Sequence, residues 1–173
     1  EGEGVKSQIL ASGVAVPWAL EAQKLLADDW NVSADVWSVT SWSELRRDGV
    51  SADHFNMMNP EAPLQVPYVT SKLAGAEGPI VAVTDYNHMV PDMIRPFVPG
   101  QYATLGADGF GFSDTRAAAR RFFKIDGPSI VVRVLEQLVV RGEMDPSVPQ
   151  QAIDKYRLHA VNAGTSGSTG GEN

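Results

Sequence analysis

Short, continuously apolar runs alternate along this chain with stretches whose apolar residues recur every three or four positions. That alternation restricts it to an α/β layer fold, with a mixed, mostly parallel sheet flanked by helices. The plainest run, Pro79-Ile80-Val81-Ala82-Val83-Thr84, has no polar face and is bounded by Gly78 and Asp85, so it reads as a strand covered on both sides. Ser7 to Ala11 and Asp35 to Val39 read as strands before it, and Tyr102 to Leu105 as one after it.

The helical stretches carry their own start and stop signals. Pro17 suits a first turn, and Ala19, Ala22, Leu26 and Trp30 follow at helical spacing. Ser41 with Glu44 three residues on is a capping box, and Gly49 is placed to end the short helix it starts. Residues 51–66 read as irregular at first, with a brief helix from Pro67 to Leu73. Between His88 and Val98, Pro91 and Pro96 fall inside a helical spacing, so a helix there starts late or kinks. Ser113-Asp114 is placed to cap a helix containing Arg116 to Phe123. Ile130-Val131-Val132 fits a strand locally, but Val131, Val134, Leu135 and Leu138 favour a helix from Pro128 to Arg141 ended by Gly142. Asp145-Pro146 opens a last helix with Val148, Ala152 and Tyr156 on one stripe. Residues 1–4 read as an interdomain linker, residues 5–158 as one domain, and residues 159–173, rich in Gly, Ser and Thr, as a disordered tail.

Composition narrows the chemistry. A formal charge of −7 with no basic stripe disfavours nucleic acid and anionic membrane surfaces as partners. The longest apolar runs fall far short of the roughly 20 residues of a spanning helix. With no cysteine there is no disulfide framework, thiolate metal site or thiol nucleophile, which is compatible with a cytoplasmic location. The three histidines, His54, His88 and His159, show no metal-ligand spacing, and each reads first as structural or exposed. His88 is the functional outlier, because it follows the strand end Thr84-Asp85-Tyr86, where ligand groups gather in open α/β sheets. Gly106-Ala107-Asp108-Gly109-Phe110-Gly111 fits neither a dinucleotide fingerprint nor a P-loop. Its glycines permit a tight loop while Phe110 and Phe112 pack, and Asp108 and Asp114 would oppose an anion. Ser12-Gly13 is not a nucleophile elbow, since Leu10 stands where that motif has glycine. Trp18, Trp30, Trp37 and Trp42 read as core or interface side chains.

The stretch GADGFGFSDTRAAARRFFKID resembles the loop and helix of the C-terminal domain of transketolase-like enzymes. ILASG, DVWSVTSWSELRRDG, FNMMNP, VPYV and VAVTDY extend the resemblance to the homodimeric bacterial pyruvate dehydrogenase decarboxylating components, over roughly residues 5–158. The resemblance implies a transketolase C-terminal-domain-like fold acting as a structural and dimerising element of a larger subunit. It implies a parent enzyme that decarboxylates pyruvate and reductively acetylates a lipoyl group, with thiamine diphosphate and Mg²⁺ held by upstream domains. Implied partners are those upstream domains, a second subunit and the dihydrolipoyl acyltransferase core, which this domain would dock in an alternative, binding-module role. Another transketolase-like enzyme is the remaining alternative. No catalytic, cofactor-binding or metal-ligating residue is assigned to this chain. His88, Asp108, Phe110 and Phe112 are the residues placed at an interface or channel lining.

Overall fold

In the computed structural model, which describes residues 4–109, 111 and 113–160, the first strand is the middle of everything. Strand β1 (Val5–Ala11) pairs in parallel with β2 (Val32–Ser38) along one edge and β3 (Ile80–Val83) along the other, and β4 (Tyr102–Leu105) pairs with β3. The order is β2-β1-β3-β4, and all four described strands run parallel. Parallel neighbours need crossovers, and these place helices on both faces.

Period-two alternation then sorts the strand residues into two cores. Ile9, Ala11, Val81, Val83, Ala103 and Leu105 face helices α1 (Val16–Trp30), α6 (Gly127–Val140) and α7 (Val148–Lys155). Leu10, Ile80, Ala82 and Tyr102 face the other way, toward Trp42 of α2 (Trp42–Met58), Val69 and Leu73 of α3 (Tyr68–Leu73), and Ile94. Every residue of β3 is buried, as its unbroken apolar run predicts. Helix α1 turns its alanine and leucine stripe inward, with Ala19, Ala22 and Leu26 wholly buried, and stops at Asn31, whose φ of 53° is left-handed.

Three sequence expectations are corrected. Ser41 does cap α2, its hydroxyl accepting the Glu44 N–H at 3.2 Å, but the helix does not end at Gly49 and runs to Met58, so residues 51–58 are helical. Gly49 is a packing glycine: it is buried, and a Cβ there would fall within the Phe97 ring. The α5 helix (Arg116–Phe122) is capped one or two residues later than Ser113-Asp114 suggests, by Thr115, whose hydroxyl accepts the Ala118 N–H at 3.3 Å. Asp114 instead accepts the Thr115 N–H at 2.7 Å. The last helix begins at Val148 and not at Asp145-Pro146, because the Asp145 carboxylate forms a local turn with the Ser147 N–H and hydroxyl.

The ambiguous segment is helical for a packing reason. A strand would put half of Ile130, Val131, Val134, Leu135 and Leu138 in water, whereas α6 buries all five. Asp126 caps it, accepting the Ser129 N–H at 3.1 Å, and also pairs with buried Arg121. Pro91 and Pro96 break the intervening segment as expected, leaving α4 (Met89–Asp92) and a 3₁₀ turn at Arg95–Phe97. The linker and tail expected at the termini fall mostly on residues outside those described. Among the described residues no helix is long and apolar enough to cross a membrane.

A polar clasp fastens α7 to the end of α1. The Trp30 indole N–H donates to the Tyr156 hydroxyl at 2.8 Å, that hydroxyl donates to Asp29 at 2.7 Å, and Lys155 Nζ lies 2.6 Å from the other Asp29 oxygen. Hydrogen bonds from Lys155 and Tyr156 hold the Asp29 carboxyl below the usual carboxylate range, while burial pushes the Tyr156 phenol up. A depressed carboxylate stabilises the fold above its unfolded pKa of about 3.9, and this contribution disappears as pH falls through the folded value. Urea unfolding of the wild type and Asp29→Asn therefore differs at pH 7, and the difference shrinks as pH is lowered below about 4; an unchanged difference contradicts the clasp. Gly78→Ala tests the sheet: with φ of 84° and the Lys6 carbonyl where Cβ would sit, it costs about 2–4 kcal/mol in the same unfolding experiment.

Candidate functional site

The strand order reverses between β1 and β3, so the loops leaving their carboxyl ends diverge, and ligand crevices of open α/β sheets form at such points. Here the first polar residue after each strand closes that point. Ser12 and Thr84, both buried, bring their hydroxyls to 3.1 Å, and Thr84 also accepts the Tyr86 N–H at 3.2 Å. Gly13 follows at φ 54°, and the Asp85 carboxylate lies 3.9 Å from where its Cβ would be. The Ser12 hydroxyl bonds to the Thr84 hydroxyl, a neutral partner that cannot serve as its base.

Above this closed seam, the loops after β3 and β4 are locked together. Gly106 lies against the backbone of Tyr86 to His88, and a Cβ would meet His88 N at 2.6 Å, Asn87 C at 2.7 Å and Tyr86 O at 2.8 Å. The Ala107 N–H donates to the Tyr86 carbonyl at 2.8 Å. Asp108 completes the lock, one carboxylate oxygen accepting the His88 N–H at 2.9 Å and the other lying 2.6 Å from His88 Nδ1. Nδ1 makes no aligned hydrogen bond, so the second contact is a charge contact when the ring is protonated. The outcome is a shallow polar platform whose exposed members include Asp85 and Tyr86.

Two of the four residues singled out by sequence, His88 and Asp108, thus meet; Phe110 and Phe112 lie outside the described residues. His54 and His159 are exposed. Trp42 is core, Trp30 joins the α7 clasp, Trp37 donates to the buried Gln8 side chain at 2.7 Å, and Trp18 lies under the Arg120 guanidinium. Sequence reasoning missed the Ser12–Thr84 bridge and the steric role of Gly106. The available signal was a small polar residue directly after each of two apolar central strands.

A groove of about 730 Å³ lies not at this platform but beside the end of β2, lined by Leu10, Trp37, Val39, Leu45, Tyr68 and Val69 among others. No three His, Cys, Asp or Glu side chains gather to hold a metal among the described residues.

Removing the Asp108 carboxylate frees the His88 amide. Asp108→Ala is expected to speed hydrogen exchange at His88 and Ala107 by about tenfold or more while the β3 amides keep their protection; unchanged exchange at His88 would contradict the lock.

Comparison with known proteins places this geometry. The family model for the transketolase-like TK C-terminal domain matches residues 1–126. The chain is 57% identical over 164 residues to the pyruvate dehydrogenase E1 component of Mycobacterium tuberculosis, covering 95% of this chain and 18% of that protein. It is 56% identical over 163 residues to the Mycolicibacterium smegmatis protein of the same name, with 94% of this chain and 18% of that protein covered. With the Escherichia coli K12 protein of that name the identity is 41% over 161 residues, 92% of this chain and 18% of that protein. The chain therefore spans under a fifth of the length of the curated relatives it matches. A parallel sheet of these strands, the glycine-rich loop after β4 and the family match agree, and the chain belongs to the transketolase-like TK C-terminal domain family.

Proposed function

We propose that this chain is the C-terminal, structural and dimer-supporting domain of a cytoplasmic pyruvate dehydrogenase decarboxylating subunit. The observation that carries the reading is the 57% identity to the Mycobacterium tuberculosis E1 component across 95% of the chain. The parent subunit, on this reading, decarboxylates pyruvate and passes the acetyl unit to a lipoyl group of the acyltransferase core. Thiamine diphosphate supplies the electron sink for that decarboxylation.

The described residues of this chain offer no cradle that fits Mg²⁺. A diphosphate-bound Mg²⁺ calls for carboxylate and carbonyl oxygens converging on one point. No such group of acidic side chains assembles among the described residues, and the Ser12 and Thr84 hydroxyls face each other across the switch point. On this reading the cofactor is held by the preceding domains. The part played here is positional: the Asp108–His88 lock and the packed Gly106 present Asp85 and Tyr86 on rigid loops to whatever lies above the sheet edge. His88 and Asp108, with Phe110 and Phe112, are proposed as interface residues with the upstream domains or the second subunit.

Pyruvate-dependent reductive acetylation of a lipoyl domain, with thiamine diphosphate and Mg²⁺ supplied, is expected from the complete subunit and not from residues 1–173. Turnover by residues 1–173 alone, or a complete subunit that ignores pyruvate, would overturn the assignment.

A further inference from the structure

We infer that the segment joining α2 to α3, residues 59–67, forms with Met57 and Met58 a docking surface for the remainder of the same polypeptide. The inference rests on the reading that this chain is one domain of a longer subunit.

Five large apolar side chains stand in water within twelve residues: Met57 is 63% exposed, Met58 71%, Leu64 77%, Val66 60% and Tyr68 55%. Single exposed apolar residues need no explanation, but a run of them marks a contact surface. Between Met57 and Tyr68 the only charged residue is Glu61, and depletion of charge is a property of interface centres.

The segment has no helix or strand of its own, yet it is pinned against α2. The Asn56 side-chain amide donates to the Gln65 carbonyl at 2.9 Å and accepts the Gln65 N–H at 2.8 Å. At the next anchor the Tyr68 N–H donates to Asp48 at 2.6 Å. Pro60, Pro63 and Pro67 fix φ at three positions, which lowers the entropy lost on binding. The molecule therefore holds Leu64 and Val66 outward in a preset shape. At Tyr68 the surface runs into the apolar groove beside β2, so ridge and groove are continuous.

The occupant follows from how much polypeptide lies outside this chain. The matched stretch is only 18% of relatives that are 56% and 57% identical to it. A tethered neighbour meets this surface at high effective concentration, so a domain interface of ordinary size suffices to cover it.

The test uses the full-length subunit. Leu64→Cys and Val66→Cys are introduced singly, and maleimide labelling of the reporter peptide is followed by mass spectrometry in native and urea-unfolded protein. Labelling in the native subunit is expected to be slower by about tenfold or more. Native and unfolded rates within about twofold overturn the inference. Peroxide oxidation of Met57 and Met58 in the unmutated subunit gives a second reading that needs no variant, with the same expectation. Protection that vanishes when dilution separates the copies assigns the surface to a second copy and also overturns it. Loss of pyruvate turnover bears on the proposed function and leaves the protection result standing, so the two fail separately.

Discussion

The structure depends on β1 being paired along both edges and covered on both faces, which leaves its side chains no route to solvent from Ser7 to Ala11. A polar side chain in that position must be satisfied internally or destabilise the sheet. Gln8, 1% exposed, meets this demand with three partners: its amide donates to Asp35 of β2 at 3.2 Å and to the Glu77 carbonyl at 3.0 Å, and its oxygen accepts the Trp37 indole N–H. A slip of β2 would break the bonds to Asp35 and Trp37, so Gln8 favours one register along that edge.

Much of this was legible in residue order. The unbroken run of β3, the alanine stripe of α1, the Ser41–Glu44 cap and the prolines that break residues 88–98 are local signals, and the fold follows them. The caps at Thr115 and Asp145 are misread locally by one to three residues, whereas the larger failures share one cause. Gly49 looks like a terminator until the Phe97 ring, 48 positions away, is seen to occupy the space its Cβ would need. The Asp108–His88 lock joins loops twenty residues apart, and the Ser12–Thr84 bridge spans seventy-two. Periodicity and capping rules see one turn or one strand at a time, so contacts set by sheet order escape them.

The platform itself was half legible. His88 was singled out because it follows a strand end, a rule about position, and the structure supplies the partner that the rule could not name. Its chemistry is that of a fastened rim. A bridge of two hydroxyls and a carboxylate engaged by a backbone N–H fasten the loops to one another.

Arg121 has a consequence for where the domain stops. Its side chain is almost wholly buried, pairs with Asp126, and donates to the Tyr156 carbonyl at 2.8 Å from beyond the end of α7. The family match ends at residue 126, yet α6 and α7 supply, with α1, the apolar cover for one face of the sheet. A chain cut after residue 126 would bare much of this face and deprive the guanidinium of the Tyr156 carbonyl, leaving it Asp126 alone. The matched module and the packed core are therefore different lengths, and the guanidinium spans into the longer one.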